Sequence, residues 1–401
     1  MGNGTAEVVV VGAGIVGSSI THYLSERGMG VTLVDKGSVA GGATGKATAV
    51  IRMHYTNPWD SAMAKLGGEV YANWGELIGG ESGFVNAGFV FIVGEEEKEK
   101  LHRNVDILRD EAGINTYALD PESLRELLPH WYVGDVGAAA YEPDSGYGDP
   151  HSAATGFVRR AQELGAEVSQ GEEALRILED GDRVTGVETS QRRISTENVV
   201  LAGGAWSKRL GAGVGLDLPI TGMMLSVGVL KRPPILYGSH PACIDAANGI
   251  YFRPEPGELT LLGFSSVVDR HESPKDLDPD SYEAEPDMRW SLRTSRRIAS
   301  RIPAMEDATW VRSWNGVDGN TPDGHLILDR APGLEGLYLA VGMSGTGFKI
   351  GPAVGKCMSE LIVDGRASSV DIRPFRLARF EEGEALVGKY EYNYYLFKQD
   401  D

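Results

Sequence analysis

Residues 8–35 read VVVVGAGIVGSSITHYLSERGMGVTLVD, and this stretch decides the fold class. The unbroken β-branched run at 8–11 is typical of a parallel strand buried on both faces. Gly12, Gly14 and Gly17 follow as a turn, and apolar residues then recur at helical spacing as far as residue 24. A second apolar run at 31–34 ends in Asp35. The order strand, glycine turn, helix, strand predicts the first unit of a parallel α/β sheet.

The same glycine spacing predicts a bound dinucleotide. A GxGxxG turn lets the backbone approach a pyrophosphate, and the helix N-terminus supplies N–H donors and positive potential. Asp35 ends the second predicted strand, where a carboxylate accepts hydrogen bonds from a ribose. An acid at this position favours an unphosphorylated ribose over the 2′-phosphate of NADP.

Three further glycine loops favour FAD over NAD. They lie at residues 41–45, 202–204 and 342–347, each close to the end of a predicted strand. A cofactor that contacts these loops as well as the first turn must be long, as FAD is. The predicted FAD-binding residues are Gly12, Gly14, Ile15, Val16, Gly17, Asp35, Lys36, Gly42, Ala43, Thr44, Lys46, Ala47, Thr48, Ala202, Gly203, Gly204, Trp206, Gly342, Gly345, Thr346, Gly347, Phe348 and Lys349.

The composition excludes several classes of protein. The 401 residues include 38 basic and 57 acidic side chains, and the net charge of −19 disfavours binding to nucleic acid or to an anionic membrane. No apolar run reaches the roughly 18 residues of a membrane-spanning helix. Two cysteines cannot form a disulfide framework, and the histidines show no metal-ligand spacing, so we expect a cytoplasmic protein without a metal.

The α/β pattern returns twice along the chain, with strand-rich segments between its parts. We expect an α/β fold in which a Rossmann-type FAD-binding domain, residues 1–80, 150–215 and 315–375, is interleaved with a mostly antiparallel β substrate-binding domain, residues 81–149 and 216–314. Residues 376–401 form an aromatic C-terminal tail that either docks on the chain or contacts another subunit. The sequence leaves open whether the protein is a monomer or a homodimer.

Across about residues 6–375 the chain resembles the FAD-dependent amine and amino-acid oxidoreductases, the D-amino-acid oxidase superfamily that includes sarcosine oxidase and glycine oxidase. The segment most like the sarcosine oxidases is GGATGKATAVIRMHY at 41–55. The other segments that carry the resemblance are VVVVGAGIVGSS at 8–19, VVLAGGAW at 199–206, YFRPEPGELTLLG at 251–263, WNGVDGNTPDGHLILD at 314–329 and LYLAVGMSGTGFKIGP at 337–352.

This resemblance implies how the substrate carboxylate is held. Glycine and D-amino-acid oxidases have an arginine just after a W-x-G, and residues 314–319 contain none. Single-chain sarcosine oxidase uses the arginine that ends an I-I-R segment and the lysine of a G-F-K segment, which match Arg52 and Lys349. Tyr251 aligns with a tyrosine near the substrate in this branch, and His54 and Tyr55 follow Arg52, so all three are expected at the pocket. Without the family motif, a surface ion pair for Arg52 and a packed stem for Lys349 would be favoured.

Two departures from the family pattern affect the expected chemistry. Relatives that tether the flavin through histidine or cysteine do so where this chain has Gly45 and about Gly316, so we expect non-covalent FAD. The lysine that speeds reaction with oxygen in single-chain sarcosine oxidase is replaced at about Leu261, which leaves the electron acceptor open.

The resemblance implies oxidation of the C–N bond of a small amino acid, with glycine or an N-substituted glycine such as sarcosine or an N-carboxymethyl compound as substrate. Hydride transfer to the flavin gives an imine that water hydrolyses, and O2 is reduced to H2O2. The alternatives are a flavin-dependent dehydrogenase with another electron acceptor, a flavoprotein subunit of a larger complex, and an NAD-dependent dehydrogenase.

Overall fold

The computed structural model describes residues 2–264, 276–388 and 391–392, with the backbone alone for residues 2 and 3. Within these residues, no helix is both long enough and apolar enough to cross a membrane.

Twenty strands are present in the described part of the chain. They are β1 Gly2–Thr5, β2 Val8–Val11, β3 Val31–Asp35, β4 Val50–Ile51, β5 Phe89–Val93, β6 Tyr117–Leu119, β7 Ala138–Glu142, β8 Gly146–Tyr147, β9 Glu167–Gln170, β10 Ala174–Asp180, β11 Arg183–Thr189, β12 Arg192–Ser195, β13 Val199–Leu201, β14 Thr221–Lys231, β15 Ala242–Asp245, β16 Ile250–Glu255, β17 Leu259–Phe264, β18 Thr309–Asn320, β19 Ile327–Arg330 and β20 Leu337–Val341.

The same residues contain ten α-helices. They are α1 Ile15–Glu26, α2 Ala43–Lys46, α3 Pro58–Ala72, α4 Trp74–Leu77, α5 Lys98–Asp110, α6 Pro121–Leu127, α7 Pro150–Glu163, α8 Ser207–Ala212, α9 Met288–Arg301 and α10 Gly347–Val363. Helices α3, α6 and α7 each have proline at the first position and a polar side chain that caps the helix N-terminus.

A six-stranded sheet forms the centre of the fold, in the order β19-β20-β13-β2-β3-β9. Its strands pair in parallel except for β19, which runs antiparallel to β20. All four residues of β2 are buried, as the β-branched run predicts for a strand that is covered on both faces. Helix α1 packs against α7 and α10 on one face of this sheet.

A second sheet of eight strands has the order β18-β14-β17-β16-β15-β5-β7-β6. Its neighbours pair antiparallel, apart from the parallel pair of β15 and β5. A four-stranded sheet, β1-β12-β11-β10, and the short pair β4-β8 complete the described strands. The mixed α/β fold expected from the sequence is confirmed.

Asp287 caps the N-terminus of α9 by accepting a hydrogen bond from the Trp290 N–H at 2.8 Å. One expected domain boundary lies within a strand. Strand β18 runs across residue 315, where the substrate-binding domain was expected to end. The division into two domains stays a prediction.

Candidate active site

A cavity of about 1250 Å³ lies at the carboxyl ends of the central parallel strands. Val11 at the end of β2, Asp35 at the end of β3 and Val341 at the end of β20 all line it. Ligands of open α/β sheets bind at this edge. Every residue expected to bind the cofactor lines the cavity except Gly17 and Gly342.

The turn between β2 and α1 brings bare backbone to the cavity wall. Gly12 has a φ of +105°, and a side chain there would come within 2.6 Å of the Ala202 carbonyl oxygen. Gly17 serves packing, since a side chain at that position would lie 1.8 Å from the Gly12 carbonyl oxygen. The glycine turn and the helix N-terminus at Ile15 therefore form a cradle that fits the pyrophosphate of a dinucleotide.

Asp35 lies at the end of β3, where two hydrogen bonds hold its carboxylate in the cavity wall. Its Oδ2 accepts a hydrogen bond from the Ala13 N–H, and its Oδ1 accepts one from the Gly37 N–H, both at 2.7 Å. Each carboxylate oxygen keeps a further lone pair, so the residue fits the ribose-binding role expected of it.

The segment around Asp280 forms an outer wall that the sequence did not predict. Lys36 pairs with Asp280, and its ammonium nitrogen lies 4.3 Å from the centre of the Trp206 ring. The Trp206 indole N–H also donates to Asp280, at 2.8 Å. Both expected residues line the cavity with Asp280 and Tyr282, which come from a chain segment far away in sequence.

The second glycine loop lies against the N-terminus of α1. Thr44 Oγ1 accepts a hydrogen bond from the Ile15 N–H at 3.1 Å. The Lys46 ammonium donates to the Asn315 carbonyl oxygen at 3.2 Å, and the Trp314 indole donates to the Lys46 carbonyl oxygen at 2.9 Å. These bonds join the loop to β18 and close one side of the cavity.

A side chain at either of the two positions that carry a flavin tether in some relatives would come into close contact with its neighbours. A Cβ at Gly45 would lie 2.4 Å from the Ala40 carbonyl oxygen, and one at Gly316 would lie 2.8 Å from Lys46 Cδ. That the FAD is non-covalent stays a prediction.

The last glycine loop presents the N-terminus of α10 to the cavity. The Gly345 N–H donates to Asp318 Oδ2 at 2.5 Å, and Thr346 precedes the first helical residue. Tyr71 supports the first turn from behind, because its hydroxyl donates to the Phe348 carbonyl oxygen at 2.8 Å. The free N–H groups of such a helix start stabilise negative charge on a bound group.

Lys349 is a buried lysine on the first turn of α10. Its side chain lines the cavity, and its ammonium donates to the Gly345 carbonyl oxygen at 3.3 Å. Among the described residues it forms no salt bridge. Burial lowers the pKa of Lys349 well below its ordinary value, and the nearby Arg52 lowers it further, while Asp60 and Asp318 oppose this shift.

Arg52 follows the short strand β4 and lines the same cavity. Its Nη1 donates to the His54 carbonyl oxygen, and its guanidinium lies 4.2 Å from the centre of the Tyr55 ring. Arg52 and Lys349 therefore line the same cavity, and their role in binding a carboxylate stays a prediction. Tyr251 on β16 lines the cavity as well.

His54 does not line the cavity, contrary to the expectation. Its ring is fully buried, stacks on Phe91 with 4.8 Å between ring centres, and has Nε2 2.9 Å from the Tyr392 hydroxyl. Burial lowers the pKa of His54 to about 3, and the Arg52 charge acts in the same direction. A neutral histidine packed in this way anchors the C-terminal tail, whose Tyr392 also accepts a hydrogen bond from Asn104 at 3.2 Å.

Several cavity residues were missed by the sequence analysis. Tyr55 lines the cavity beside Arg52, as expected, whereas Asp60 and His325 form a buried pair that the sequence did not indicate. The missed cavity residues are Thr56, Asp60, Asp318, Pro322, Asp323 and His325, together with Ala385, Leu386, Val387 and Glu391 from the C-terminal part. The TPDGH stretch was visible as part of a family segment, but nothing in its spacing pointed to Asp60.

Comparison with known proteins identifies the family. The DAO family, described as FAD dependent oxidoreductase, matches residues 7–361. Glycine oxidase from Geobacillus kaustophilus is 26% identical over 382 residues, which cover 93% of this chain and 97% of that one. Sarcosine oxidase subunit beta from Rhodobacter capsulatus is 24% identical over 386 residues, 94% of this chain and 89% of that one.

Two further proteins extend the comparison. The 4-methylaminobutanoate oxidase (formaldehyde-forming) of Paenarthrobacter nicotinovorans is 26% identical over 378 residues, and the alignment covers 92% of this chain but only 45% of that longer protein. The structure of L-proline dehydrogenase from P. horikoshii superimposes with a TM-score of 0.87 at 28% identity and covers 96% of this chain and 100% of that one.

The family match and the glycine cradle agree on the cofactor, which is FAD. The chain is an oxidoreductase of the glycine oxidase and sarcosine oxidase type, and at the level of the family its chemistry is the FAD-dependent oxidation of amino-acid C–N bonds. It belongs to the DAO family of FAD-dependent oxidoreductases.

Proposed function

We propose that the protein oxidises the C–N bond of glycine or of an N-substituted glycine, from sarcosine to a bulkier N-carboxymethyl compound. Arg52 and Lys349 bind the substrate carboxylate, and an imine forms that water hydrolyses. Oxygen is the proposed electron acceptor.

The observation that carries this proposal is the state of Lys349. A buried ammonium is costly unless an anion or several hydrogen-bond acceptors compensate it. Lys349 has one backbone acceptor, the Gly345 carbonyl oxygen, and no carboxylate partner among the residues that the structure describes. A substrate carboxylate in the cavity would supply the missing anion, and its charge would return the pKa of Lys349 toward the ordinary value.

Arg52 supports the same role from another element. Its guanidinium is held by the His54 carbonyl oxygen and by the Tyr55 ring, which orients the planar group before the substrate arrives. Pre-oriented arginine suits a carboxylate because the fork of N–H donors matches the two oxygens. Two cations from β4 and α10 would fix the carboxylate and thereby the α-carbon, which is a positioning contribution to the rate.

Bound FAD supplies the two-electron acceptor for this oxidation. The chain itself contributes binding and electrostatics. The N–H groups of Gly347 and Phe348 at the start of α10 would stabilise the negative charge of the reduced cofactor, whereas those of Gly345 and Thr346 already donate to Asp318 Oδ2 and to the Met343 carbonyl oxygen. Tyr251 on β16, which lines the cavity, is the residue proposed to contact the substrate from that strand.

The choice of acceptor separates this proposal from its alternatives. Both oxidases and an L-proline dehydrogenase are similar to this chain, and one relative is the beta subunit of a sarcosine oxidase. A dehydrogenase or a subunit of a larger complex would therefore share the same fold and cofactor. Leu261, buried on β17 and lining no part of the cavity, offers no positive charge for the reaction with oxygen.

The deciding experiment is a substrate panel with two readouts. The purified holoprotein is mixed with glycine, sarcosine, longer N-alkyl glycines, N-carboxymethyl amino acids and L-proline. Loss of flavin absorbance under anaerobic conditions identifies the substrate, and peroxide formation in air identifies oxygen as acceptor. Bleaching by a substituted glycine with peroxide supports the proposal. Bleaching without peroxide indicates a dehydrogenase, and bleaching by L-proline alone rejects the substrate class.

A further inference from the structure

A buried histidine–aspartate pair lies in the wall of the cavity that holds Arg52 and Lys349, and the function proposed so far does not use it. His325 Nδ1 and Asp60 Oδ2 are 2.8 Å apart, and the two side chains are only 10% and 7% exposed. Both residues line the cavity. The charge of Asp60 acts on Lys349, and the charge of Arg52 acts on Asp60, so the pair lies close to the proposed carboxylate site.

Both members of the pair are held rigidly. Asp60 lies in the first turn of α3, where Asn57 Nδ2 donates to Asp60 Oδ2 and the Asp60 N–H donates to Asn57 Oδ1, each at 2.8 Å. The carbonyl oxygen of His325 accepts hydrogen bonds from Thr321 Oγ1 at 2.6 Å and from Arg379 Nη2 at 2.9 Å. The backbone and the ring of His325 are therefore both fixed in position.

The hydrogen bond to Asp60 occupies Nδ1 of His325 and leaves Nε2 as the second ring nitrogen. With Nδ1 held by a carboxylate, the second nitrogen Nε2 is the site where a proton is gained or lost. Nε2 has no hydrogen-bond partner among the described residues. A histidine oriented by an aspartate, with its other nitrogen available in a substrate cavity, has the geometry of a general base.

We propose that the Asp60–His325 pair accepts the proton that the substrate's ammonium group loses before its C–N bond is oxidised. This rests on the proposed function, because it takes the substrate to be an amine bound beside Arg52 and Lys349. Amino acids and secondary amines are protonated at neutral pH, and a protonated nitrogen has no lone pair with which to form the C=N bond.

The step balances in protons and electrons. One N–H bond of the substrate breaks, its electron pair stays on nitrogen, and the proton forms a bond with His325 Nε2. The resulting imidazolium lies next to the Asp60 carboxylate, so no net charge is buried without compensation. The neutral amine can then lose a hydride equivalent from its α-carbon to the family's cofactor, leaving an iminium that water hydrolyses.

The charges around the pair suit this role. Burial lowers the pKa of His325, but Asp60 and Asp323 outweigh burial and raise it above its ordinary value, against the opposing charge of Arg379. Burial raises the pKa of Asp60, but the His325 ring, the hydrogen bond from Asn57 and the charge of Arg52 together lower it below its ordinary value. Activity that requires neutral His325 must therefore rise with pH as the imidazolium loses its proton.

The test measures the anaerobic rate of flavin reduction between pH 6 and 10 in the holoenzyme. Sarcosine is the probe, or the best amine of the panel if sarcosine is not oxidised. In the wild type we expect the rate divided by the dissociation constant to rise about tenfold per pH unit below the pKa of His325. We call this rise with pH the acidic limb of the profile. His325→Gln should lose the acidic limb and should reduce the rate at pH 8 about 100-fold, within the range for a general base. Asp60→Asn should move the limb to lower pH.

Two controls separate this role from a structural one. His130→Gln changes an exposed histidine outside the cavity and should leave the profile unchanged. Titration of ¹³C-labelled histidine rings by NMR gives a readout besides activity: one ring signal, absent from His325→Gln, should titrate above pH 6.5 in the wild type and at lower pH in Asp60→Asn.

The proposal is overturned if the pH profile of His325→Gln keeps the acidic limb of the wild type. If His325→Gln does not fold, the proposal is overturned if the acidic limb of Asp60→Asn lies at the same pH as that of the wild type. Failure of the proposed function gives a different result from failure of the His325 role. In that case the substrate found in the panel lacks a carboxylate, or the acid and its matching amine react equally well. The acidic limb and its dependence on His325 can still be measured with that substrate.

Discussion

Replacing Lys349 with methionine removes one of the two proposed carboxylate-binding cations and keeps the volume of the side chain. The ammonium is buried, lines the cavity and donates only to the Gly345 carbonyl oxygen among the described residues. Methionine therefore leaves one backbone acceptor short of a donor in the free enzyme. In the complex it leaves the substrate carboxylate short of a charged partner.

The expected loss follows from the strength of charge-assisted hydrogen bonds. Removing one such bond from a buried anion costs about 1.5–3 kcal/mol. Since about 1.4 kcal/mol is a factor of ten in rate, kcat/KM for the acid should fall roughly ten- to a hundredfold. The matching amine without a carboxylate should lose little, because it makes no bond to Lys349.

The thermal stability of Lys349→Met should not fall together with its activity. The pKa of Lys349 is lowered by burial, so the folded state binds this proton more weakly than the unfolded state does. Such a lysine lowers the free energy of unfolding at neutral pH, and this penalty is lost as the pH rises toward the ordinary pKa of lysine. The melting temperature of Lys349→Met at pH 7 should equal or exceed that of the wild type, so lost activity cannot be attributed to unfolding.

The assay compares kcat/KM for sarcosine and for dimethylamine, its decarboxylated counterpart, in four proteins: the wild type, Lys349→Met, Arg52→Gln and the double variant. Lys65→Met is the matched control, since the Lys65 ammonium also donates to a backbone carbonyl oxygen, that of Ala112 at 2.9 Å, but lies outside the cavity. The double variant should lose less than the sum of the single losses, because both cations act on one carboxylate. Equal losses for acid and amine in every variant would refute the carboxylate role.

The remaining predictions concern the cofactor and the fold. Acid precipitation should leave the yellow colour in the supernatant, and a yellow pellet would mean that the FAD is covalently bound. Gly14→Val should abolish FAD binding, measured by flavin absorbance per protein, because even a Cβ at this position lies 3.1 Å from Thr44 Oγ1; Gly75→Ala, with no atom within 4 Å, is the control. Asp323→Asn should lower the free energy of unfolding in urea by about 3–5 kcal/mol, because it leaves the fully buried Arg379 without its carboxylate. Arg379 holds the pKa of Asp323 low against the effect of burial, so this contribution is complete at neutral pH and is lost as the pH falls through that lowered pKa; equal stabilities of the two proteins at pH 7 would contradict it.

The local sequence pattern was sufficient to predict the structure of segments whose conformation depends on residues that are close together along the chain. The valine run at 8–11 can be buried only as a central strand, and Gly12 occupies a backbone conformation that other residues rarely adopt. Helix α3 begins at Pro58 after Asn57, because a proline at the first helical position and a capping asparagine act within a few residues. The glycine loops pointed to a long cofactor for the same reason: each loop is local, and the strand ends collect them at one edge.

The sequence did not predict which of two adjacent side chains faces the cavity, because a shift of one position reverses the direction in which a side chain points. His54 and Tyr55 are adjacent, and the sequence offered no reason to send the histidine to the Tyr392 side and the tyrosine to the cavity. The choice depends on the packing of Phe91 and Tyr392, which come from β5 and from the C-terminal tail. The same packing shows that this part of the tail docks on its own chain.

The Asp60–His325 pair and the Asp280 wall exist only in the tertiary structure. Asp60 is a capping-turn residue of α3, and His325 lies in the turn before β19, so neither carries a motif of its own. Their 2.8 Å contact exists because α3 and the late strands meet at one end of the central sheet. Sequence by itself determined the nucleotide-binding unit, whose residues are neighbours along the chain, whereas the charged groups opposite the proposed substrate site are set by contacts between residues far apart in sequence.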